Sequence, residues 1–333
     1  MIVPARNEEA CLGACLESLV SQAGVELEVL VVDDGSTDRT HEIAGSFPGV
    51  QVLEPGPLPA GWTGKNHAVS AGAQVARGAW LLFTDADTVH LPGSLARALE
   101  EAERHDVSLL SYSPEQVVKG FWEKAVLPVV FGELAATYRP AEVSDPKSPA
   151  AAANGQYLLV SRAAYQAVGG HGAVRDSLLE DVALARAVKG SGRPIRFRFG
   201  GDAVRTRMYR SFAQLSEGWT KNLALLFPSS LRLAIVRTVE FLVIAAGLPL
   251  ATRLGMQGAT GRAFAAAFLA VTAYLLFLRR IRKAHCSWEG EAVAILGLPV
   301  FSYLLLRSRF SHQRGRVAWK GRDYPAAAPA SNR

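Results

Sequence analysis

The stretch Trp80-Leu81-Leu82-Phe83-Thr84-Asp85-Ala86-Asp87 decides how this sequence is expected to fold. Four apolar residues in a row are typical of a buried β-strand, and this strand ends where the acidic residues begin. Side chains alternate along an extended chain, so Asp85 and Asp87 are expected on one side of it. Taken alone, the pair can equally be a capped turn before the helix that is predicted from Leu91.

The same pattern, an apolar run that stops at polar residues before a helical pattern, recurs along residues 1–110, whereas residues 113–203 depart from it. Strands are predicted at 2–4, 27–32, 50–53, 80–84, 107–112, 156–161 and 194–199, and helices at 8–21, 36–45, 65–76, from 91, 121–138 and 178–190. Strands that alternate with helices predict an α/β fold with a doubly wound, mostly parallel sheet. Such sheets bind ligands beyond the carboxyl ends of their strands, where the acidic residues lie. The Pro-, Ala- and Ser-rich stretch 140–153 is predicted to be a loop.

Three apolar stretches follow residue 228, at 233–252, 263–278 and 292–306. A full membrane span needs about 20 apolar residues, so each stretch is marginal alone, but together they favour membrane helices over a soluble helical domain. Gly297-Leu298-Pro299 is expected to break the last stretch, which is therefore predicted to be re-entrant or interfacial. The predicted domains are 1–227 for the α/β fold, 228–310 for the membrane helices and 311–333 for a basic tail with a disordered end.

Charge is distributed unevenly, with 17 Lys and Arg against 25 Asp and Glu in residues 1–203, and 19 against 5 in residues 204–333. A basic, apolar C-terminal part favours anionic membrane lipid as a partner. Its arginines flank apolar runs instead of alternating with aromatic residues, so nucleic acid is not expected to bind. The positive-inside rule puts 279–283 and 307–322 in the cytoplasm. Because the chain opens inside a predicted strand, we expect its natural start to lie upstream.

Three further positions carry charge where ligand chemistry needs it. Asp33-Asp34-Gly35-Ser36 ends a strand, and one carboxylate there can accept a hydrogen bond from a base or ribose, although the same residues also suit an ordinary turn. Glu180-Asp181 begins a helix; a carboxylate there can take a proton from a hydroxyl or simply balance the helix dipole. Lys65 starts a helix after a Gly- and Pro-rich loop, where it can meet a diphosphate or stay solvated. Asp85 and Asp87 offer the oxygen ligands that Mg²⁺ or Mn²⁺ prefers.

In this order, the motifs resemble those of family 2 glycosyltransferases, which have the GT-A fold. The matching segments are Val3-Pro4-Ala5-Arg6-Asn7-Glu8-Glu9, Asp33-Asp34-Gly35-Ser36, Asp85-Ala86-Asp87, Asn154-Gly155-Gln156 and Glu180-Asp181. The resemblance implies that a nucleotide sugar is bound by Pro4, Arg6, Glu8, Asp34, Lys65 and Asp85. It implies that Mg²⁺ or Mn²⁺ is held by Asp87 and Asp85. It also implies that Asp181, beside Glu180, is the catalytic base, and that Asn154 and Gly155 lie on the acceptor side.

A narrower resemblance concerns the acceptor. The segments 207–210, 217–222 and 319–324 are similar to those of bacterial glycosyltransferases that act on carotenoid acids and hopanoid-type lipids. Polymerising synthases carry Gln-x-x-Arg-Trp near this point, and Leu215-Ser216-Glu217-Gly218-Trp219 keeps only the tryptophan. This departure argues against a polymerising enzyme. Trp219 is predicted on the acceptor side, with an interfacial tryptophan as the alternative.

We therefore predict an inverting glycosyltransferase at the inner membrane, with its catalytic domain in the cytoplasm. It is expected to transfer a sugar from a nucleotide sugar, a UDP-hexose by resemblance and GDP-mannose as the alternative, to a membrane lipid. Two other functions stay open at this point. One is a nucleotidyltransferase of related fold, which would release pyrophosphate. The other is a membrane protein that binds nucleotide sugars without turnover.

Overall fold

A computed structural model of the chain describes residues 1–284, 286, 291 and 293–325. The chain divides into two compact units. We call residues 1–116 with 138–208 the sheet unit, and residues 117–137 with 209–333 the helical unit. The domain boundaries at 227/228 and 310/311 stay predictions. In this division the helix predicted at 121–138 groups, up to residue 137, with the C-terminal helices.

The strands of the sheet unit are short and mostly buried. They are β1 Ile2–Ala5, β2 Val29–Asp33, β3 Val50–Leu53, β4 Trp80–Phe83, β5 Thr88–His90, β6 Leu109–Ser113, β7 Glu115–Gln116, β8 Leu158–Ser161, β9 Ile195–Phe199 and β10 Val204–Thr206. Seven of them form one sheet in the order β3-β2-β1-β4-β8-β6-β9. Only β8 runs against the others in that sheet, which confirms the predicted doubly wound, mostly parallel arrangement.

Two apolar cores lie on the two faces of this sheet. Alternate strand residues supply them, as the two-residue period of a strand requires. Ile2 belongs to one core and Val3 to the other, and Leu81 and Leu82 are divided in the same way. The chain places β2 on one side of β1 and β4 on the other. This reversal of strand order leaves a crevice at the carboxyl ends of β1 and β4.

Helices of the sheet unit cover both faces of the sheet. All helices are numbered in chain order through both units. Those of the sheet unit are α1 Leu12–Val20, α2 Thr40–Gly45, α3 Gly64–Val75, α4 Ser94–Arg104, α6 Pro140–Ser144, α7 Arg162–Ala167 and α8 Glu180–Gly190. Three sequence predictions were wrong here. The helix predicted from Leu91 begins at Ser94, because residues 88–90 form β5, which pairs with β10. The helix predicted from residue 36 begins at Thr40, and the loop predicted at 140–153 contains α6.

The helical unit contains five long helices and a hairpin within its described residues. They are α5 Phe121–Thr137, α9 Phe212–Leu226, α10 Ser230–Met256, α11 Thr260–Ile281, α12 Gly297–Gln313, β11 Arg316–Trp319 and β12 Arg322–Pro325. Two segments, Ser230–Met256 and Thr260–Ala284, are long and apolar enough to cross a membrane by length and composition. The third apolar stretch gives α12, which begins at Gly297 and is not such a segment. The last ten residues were predicted to be disordered. Of these, 326–333 lie outside the described residues, and Tyr324 and Pro325 belong to β12.

Charged side chains inside the helical unit close a ring between three helices. Glu133 of α5 contacts the Nε atoms of Arg237 at 2.8 Å and of Arg280 at 2.7 Å. Glu240 completes the ring, at 3.0 Å from Arg237 and 2.6 Å from Arg280. Because two acids face two bases, the ring is neutral. It joins α10 and α11 to α5 at the end where α10 begins and α11 finishes.

Candidate active site

The loops after β1 and β2 are tied together at the carboxyl edge of the sheet. Arg6 donates from Nη1 to the carbonyl of Asp34 at 2.5 Å, and more weakly to that of Gly35 at 3.4 Å. The backbone N–H of Glu8 donates to Thr40 Oγ1 at 2.7 Å. The loops that carry the first and second motifs are therefore joined by hydrogen bonds.

The two aspartates at the end of β2 have different surroundings. Asp33 accepts hydrogen bonds from the N–H and hydroxyl of Ser36, at 3.0 and 2.6 Å, and lies 3.2 Å from His41 Nδ1. These bonds make the turn after β2 and explain why a helix does not begin at Ser36. Asp34 is 8% exposed. Its role in nucleotide binding stays a prediction.

Residues beside Lys65 hold the start of α3 against the segment that precedes α8. Thr63 caps α3 by accepting from the N–H of Asn66 at 3.2 Å. The Asn66 amide donates to three carbonyls, those of Val174, Arg175 and Ser177, at 2.8 to 3.0 Å. Asn66 was not among the predicted site residues, although its position next to Lys65 was a usable signal. Through these bonds, Asn66 connects the helix that carries Lys65 with the loop that leads to Glu180.

Lys65 joins two of the acidic motifs. Its Nζ lies 2.7 Å from Asp85 Oδ1 and 2.7 Å from Glu180 Oε1. Burial alone would lower the pKa of Lys65, but the carboxylates of Asp85, Glu180 and Asp181 raise it well above its usual value. The lysine therefore stays charged and supplies a fixed positive charge among three carboxylates.

Asp181 is held in an environment that favours its protonated form. Burial and the neighbouring Glu180 charge raise the pKa of Asp181 to about 6, although Lys65 and two backbone N–H groups act in the opposite direction. The N–H donors belong to Gly155 and Val182, each at 2.8 Å. A carboxylate with a pKa near neutrality is suited to accept a proton from a hydroxyl.

Gly155 lies where no larger residue fits without displacement. A Cβ at this position would be 3.1 Å from Lys65 Nζ, 3.4 Å from Glu180 Oε1 and 3.6 Å from Asp181 Oδ2. The preceding Asn154 accepts from the N–H of Gln156 at 2.9 Å and so shapes the turn that leads into β8. The predicted acceptor-side segment thus donates a hydrogen bond to Asp181 and lies beside Glu180.

These groups open onto one cleft in the sheet unit. Its lining residues are Pro4, Lys65, Val69, Phe83, Thr84, Asp85, Gly155, Leu158, His171, Glu180 and Asp181. Among the predicted site residues, the lining includes Pro4, Lys65, Asp85, Gly155 and the Glu180-Asp181 pair, and it does not include Arg6, Glu8, Asp34, Asp87 or Asn154. His171 was missed as a site residue. Burial lowers the pKa of His171 to about 4, so it lines the cleft as a neutral ring.

Asp87 and Asp85 provide the oxygen donors expected of a divalent-cation site. Asp87 Oδ1 lies 3.5 Å from the amide of Gln156, and Asp85 already faces the Lys65 cation. Within the described residues, no group of three or more His, Cys, Asp or Glu side chains is arranged to hold a metal ion. Mg²⁺ is commonly held by one or two carboxylates together with substrate phosphates, so a carboxylate pair fits such an ion when a diphosphate is bound.

Trp219 lies in the helical unit. It is 2% exposed, and its ring meets those of Phe131 and Tyr209 edge-on, with centroids 5.9 and 6.0 Å away. These contacts bury the indole between α5 and the segment before α9. Its place on the acceptor side stays a prediction.

Comparison with known proteins shows which family and fold this chain resembles. Residues 1–168 match the family model described as glycosyl transferase family 2. The 4,4'-diaponeurosporenoate glycosyltransferase of Staphylococcus aureus strain USA300 is 29% identical over 97% of this chain and 87% of its own length, and the protein of strain MRSA252 is also similar. A mannosyltransferase from Pyrobaculum calidifontis, solved in complex with GDP-Man and Mn²⁺, has a TM-score of 0.53 at 19% identity, covering 93% of this chain and 85% of its own. The predicted GT-A fold is confirmed.

Proposed function

Because the chain belongs to glycosyl transferase family 2, we propose that it transfers a hexose from a nucleotide sugar to a membrane lipid and inverts the anomeric configuration. One observation supports this most directly. Lys65, Asp85, Glu180 and Asp181 come from three separate segments and converge within contact distance around Gly155. A cleft with a fixed cation, a potential metal ligand and a proton acceptor contains the groups that sugar transfer needs.

The donor is proposed to bind along the carboxyl edge of the sheet. Pro4, Arg6, Glu8 and Asp34 form the nucleotide side. Lys65 stands at the N-terminal end of α3, where the helix dipole favours a diphosphate. The lysine can exchange a carboxylate partner for phosphate oxygens while it keeps its charge.

Asp85 and Asp87 would hold Mg²⁺ or Mn²⁺. When bound, such an ion neutralises the charge that develops on the leaving diphosphate. Asp181 takes the proton of the acceptor, or orients an acceptor that is already ionised, and the Gly155 N–H keeps its carboxylate in place. Attack on the anomeric carbon from the face opposite the diphosphate breaks the old glycosidic bond as the new one forms, which inverts the configuration.

The proposed acceptor is an apolar molecule with a carboxylate or hydroxyl. The Staphylococcus relatives are named for diaponeurosporenoate, a carotenoid carboxylate. Large apolar side chains on α10 and α11 are exposed, as a lipid environment would require, with Phe264 74% and Phe268 64% exposed.

We propose an inner-membrane location with the catalytic domain in the cytoplasm. Two successive spans return the chain to the side from which it entered the membrane. Residues 279–283 and 307–322 would then lie on that same side, and this agrees with the positive-inside rule. Three full spans would instead place residues 307–322 on the opposite side of the membrane from 279–283, against that rule.

Full-length protein in detergent, with Mn²⁺, should be assayed with radiolabelled UDP-glucose and GDP-mannose against a carotenoid carboxylate, diacylglycerol and polyprenyl phosphate. We expect nucleoside diphosphate release that depends on one acceptor, label in the lipid phase, and an inverted anomeric centre by NMR. Asp181→Asn is the inactive control. In a parallel reaction, release of pyrophosphate from UTP or GTP with a sugar 1-phosphate would indicate a nucleotidyltransferase, and donor binding with no product would indicate a non-catalytic protein.

A further inference from the structure

A network of buried polar side chains lies beneath the Asp85-Ala86-Asp87 turn, among groups that the proposed chemistry does not use. Thr84, Thr88, His90, Gln156 and Thr206 are each at most 3% exposed. They come from the ends of β4, β5, β8 and β10, all within the sheet unit. Buried polar groups weaken a fold unless they are satisfied, so such a set at one place needs a reason.

Thr84 is the centre of this network. Its hydroxyl donates to the carbonyl of Gln156 at 2.8 Å and lies 2.9 Å from both His90 Nε2 and Thr88 Oγ1. Thr88 in turn donates to the carbonyl of Asp85 at 2.8 Å. One hydroxyl therefore connects the turn that follows β4 with the segment that leads into β8.

The segment that Thr84 holds contacts both halves of the reaction centre. Gly155 donates its N–H to Asp181 at 2.8 Å. The Gln156 amide lies 3.0 Å from Thr206 Oγ1 and 3.5 Å from Asp87 Oδ1, and Thr206 donates to the Asp87 carbonyl at 3.2 Å. Two adjacent residues thus touch the proposed base on one side and a proposed metal ligand on the other.

The ladder between β4 and β8 does not extend to this arrangement. The β4–β8 ladder runs from Trp80 opposite Ser161 to Phe83 opposite Leu158, and it ends there. Beyond Phe83 and Leu158, the Thr84 hydroxyl links the end of β4 to the Gln156 carbonyl. The backbone of Thr84 still pairs with Ile2, and Tyr157 still pairs with Tyr112 of β6, so the hydroxyl adds a side-chain link between β4 and the segment before β8 where the ladder between them has ended.

We propose that Thr84 is a positioning residue, whose hydroxyl sets the distance between the Asp85/Asp87 pair and Asp181. This inference rests on the proposed function, because the distance matters only if the two carboxylate groups act on opposite sides of one anomeric carbon. In-line displacement is sensitive to that spacing: an error of about 1 Å can reduce the rate roughly 100-fold. Removing the hydroxyl should therefore lower kcat more than it raises the donor KM.

The test compares Thr84→Ser with Thr84→Ala. Both variants lack the methyl group, and only the serine keeps the hydroxyl. Ser302→Ala is the matched control, because it removes another buried hydroxyl that donates to a backbone carbonyl, that of Ala234 at 3.1 Å, within the helical unit. The readouts are kcat, the donor KM and the affinity for Mn²⁺ in the presence of UDP or GDP. The Mn²⁺ affinity is measured from the EPR signal of free Mn²⁺.

Thr84→Ala should lower kcat roughly 10- to 100-fold and weaken Mn²⁺ binding several-fold, with the donor KM changed less than about threefold. Thr84→Ser and Ser302→Ala should stay within about threefold of wild type in all three quantities. Equal values for the serine and alanine variants would overturn the proposal. If alanine fails to fold, Thr84→Val takes its place, and wild-type kcat and Mn²⁺ affinity in that variant would overturn it too.

Failure of the proposed function has a different signature. A wild-type protein that binds Mn²⁺ with a nucleoside diphosphate, but transfers no sugar, would remove the enzymatic proposal. The EPR comparison of the Thr84 variants would still decide whether the hydroxyl positions the carboxylate pair. Transfer by wild type with no difference among the variants would remove only the inference about Thr84.

Discussion

Replacing Gly155 by alanine should slow sugar transfer about tenfold without unfolding the protein. The backbone of Gly155 is not in the left-handed region, so alanine can adopt its conformation. The added Cβ, however, would lie 3.1 Å from Lys65 Nζ, where an ordinary contact is about 3.5–4.0 Å. The lysine therefore has to move by about 0.5 Å, away from the position in which it contacts Asp85 and Glu180.

The size of the effect follows from those two ion pairs. Each is 2.7 Å long, and lengthening it to about 3.2 Å weakens the attraction by about 1 kcal/mol at an effective dielectric constant of 20. The Lys65 and Asp85 side chains are 32% and 29% exposed, so water screens part of this loss. Because Lys65 is proposed to meet the donor diphosphate, the same displacement from the phosphate oxygens in the transition state should cost about 1.4 kcal/mol after screening, which corresponds to a tenfold lower kcat/KM for the donor.

Steady-state release of nucleoside diphosphate at saturating acceptor measures this change. Gly190→Ala is the matched control, because a Cβ there, at the end of α8, would meet nothing within 4 Å. That variant should keep its kcat/KM and its thermal stability. An unchanged kcat/KM in Gly155→Ala would refute the reasoning, since the cleft would then tolerate displacement of the lysine.

Other perturbations test separate parts of the account. Glu133→Gln should destabilise the protein by about 3–5 kcal/mol, because the buried cations Arg237 and Arg280 would then share a single carboxylate, that of Glu240. Thermal unfolding in detergent measures this loss. Glu142→Gln breaks only an exposed pair and should barely change the midpoint; equal midpoints would contradict the buried ring. The pKa of Asp181 is raised to about 6, and a general base must be ionised to accept a proton. We therefore expect kcat/KM to rise about tenfold per pH unit up to about pH 6 and then to level off. A flat profile from pH 5 to about 7 would argue against Asp181 as the general base. EDTA should abolish transfer, and Mn²⁺ or Mg²⁺ should restore it; activity that survives full chelation would exclude a required metal.

Much of the sheet unit could be predicted from the sequence, because its signals are local. The strand at Val50–Leu53 has the predicted limits, and Trp80–Phe83 ends one residue earlier than predicted. Buried strands are continuous apolar runs, and a polar residue ends them. Thr88–His90 was missed since three residues carry no readable period, and its pairing with β10 involves residues more than 100 positions away.

The site could be predicted as a set of motifs, but not as a set of contacts. Acidic residues at strand and helix ends were readable one motif at a time. The bridge from Lys65 to Asp85 and Glu180 joins segments 20 and 115 positions apart, and nothing local encodes it. Thr84 was hidden for a related reason: a threonine at the end of a strand is ordinary until its hydroxyl is seen to hold Gln156.

The most direct test is to measure donor binding and transfer side by side in Asp181→Asn. Asparagine preserves the shape of the side chain and can still accept the hydrogen bond from Gly155, but it cannot take a proton at neutral pH. We expect transfer to fall roughly 100- to 10,000-fold, the usual contribution of a general base, while calorimetry with the donor and Mn²⁺ gives an affinity within about threefold of wild type. Turnover close to the wild-type rate in this variant would contradict the account.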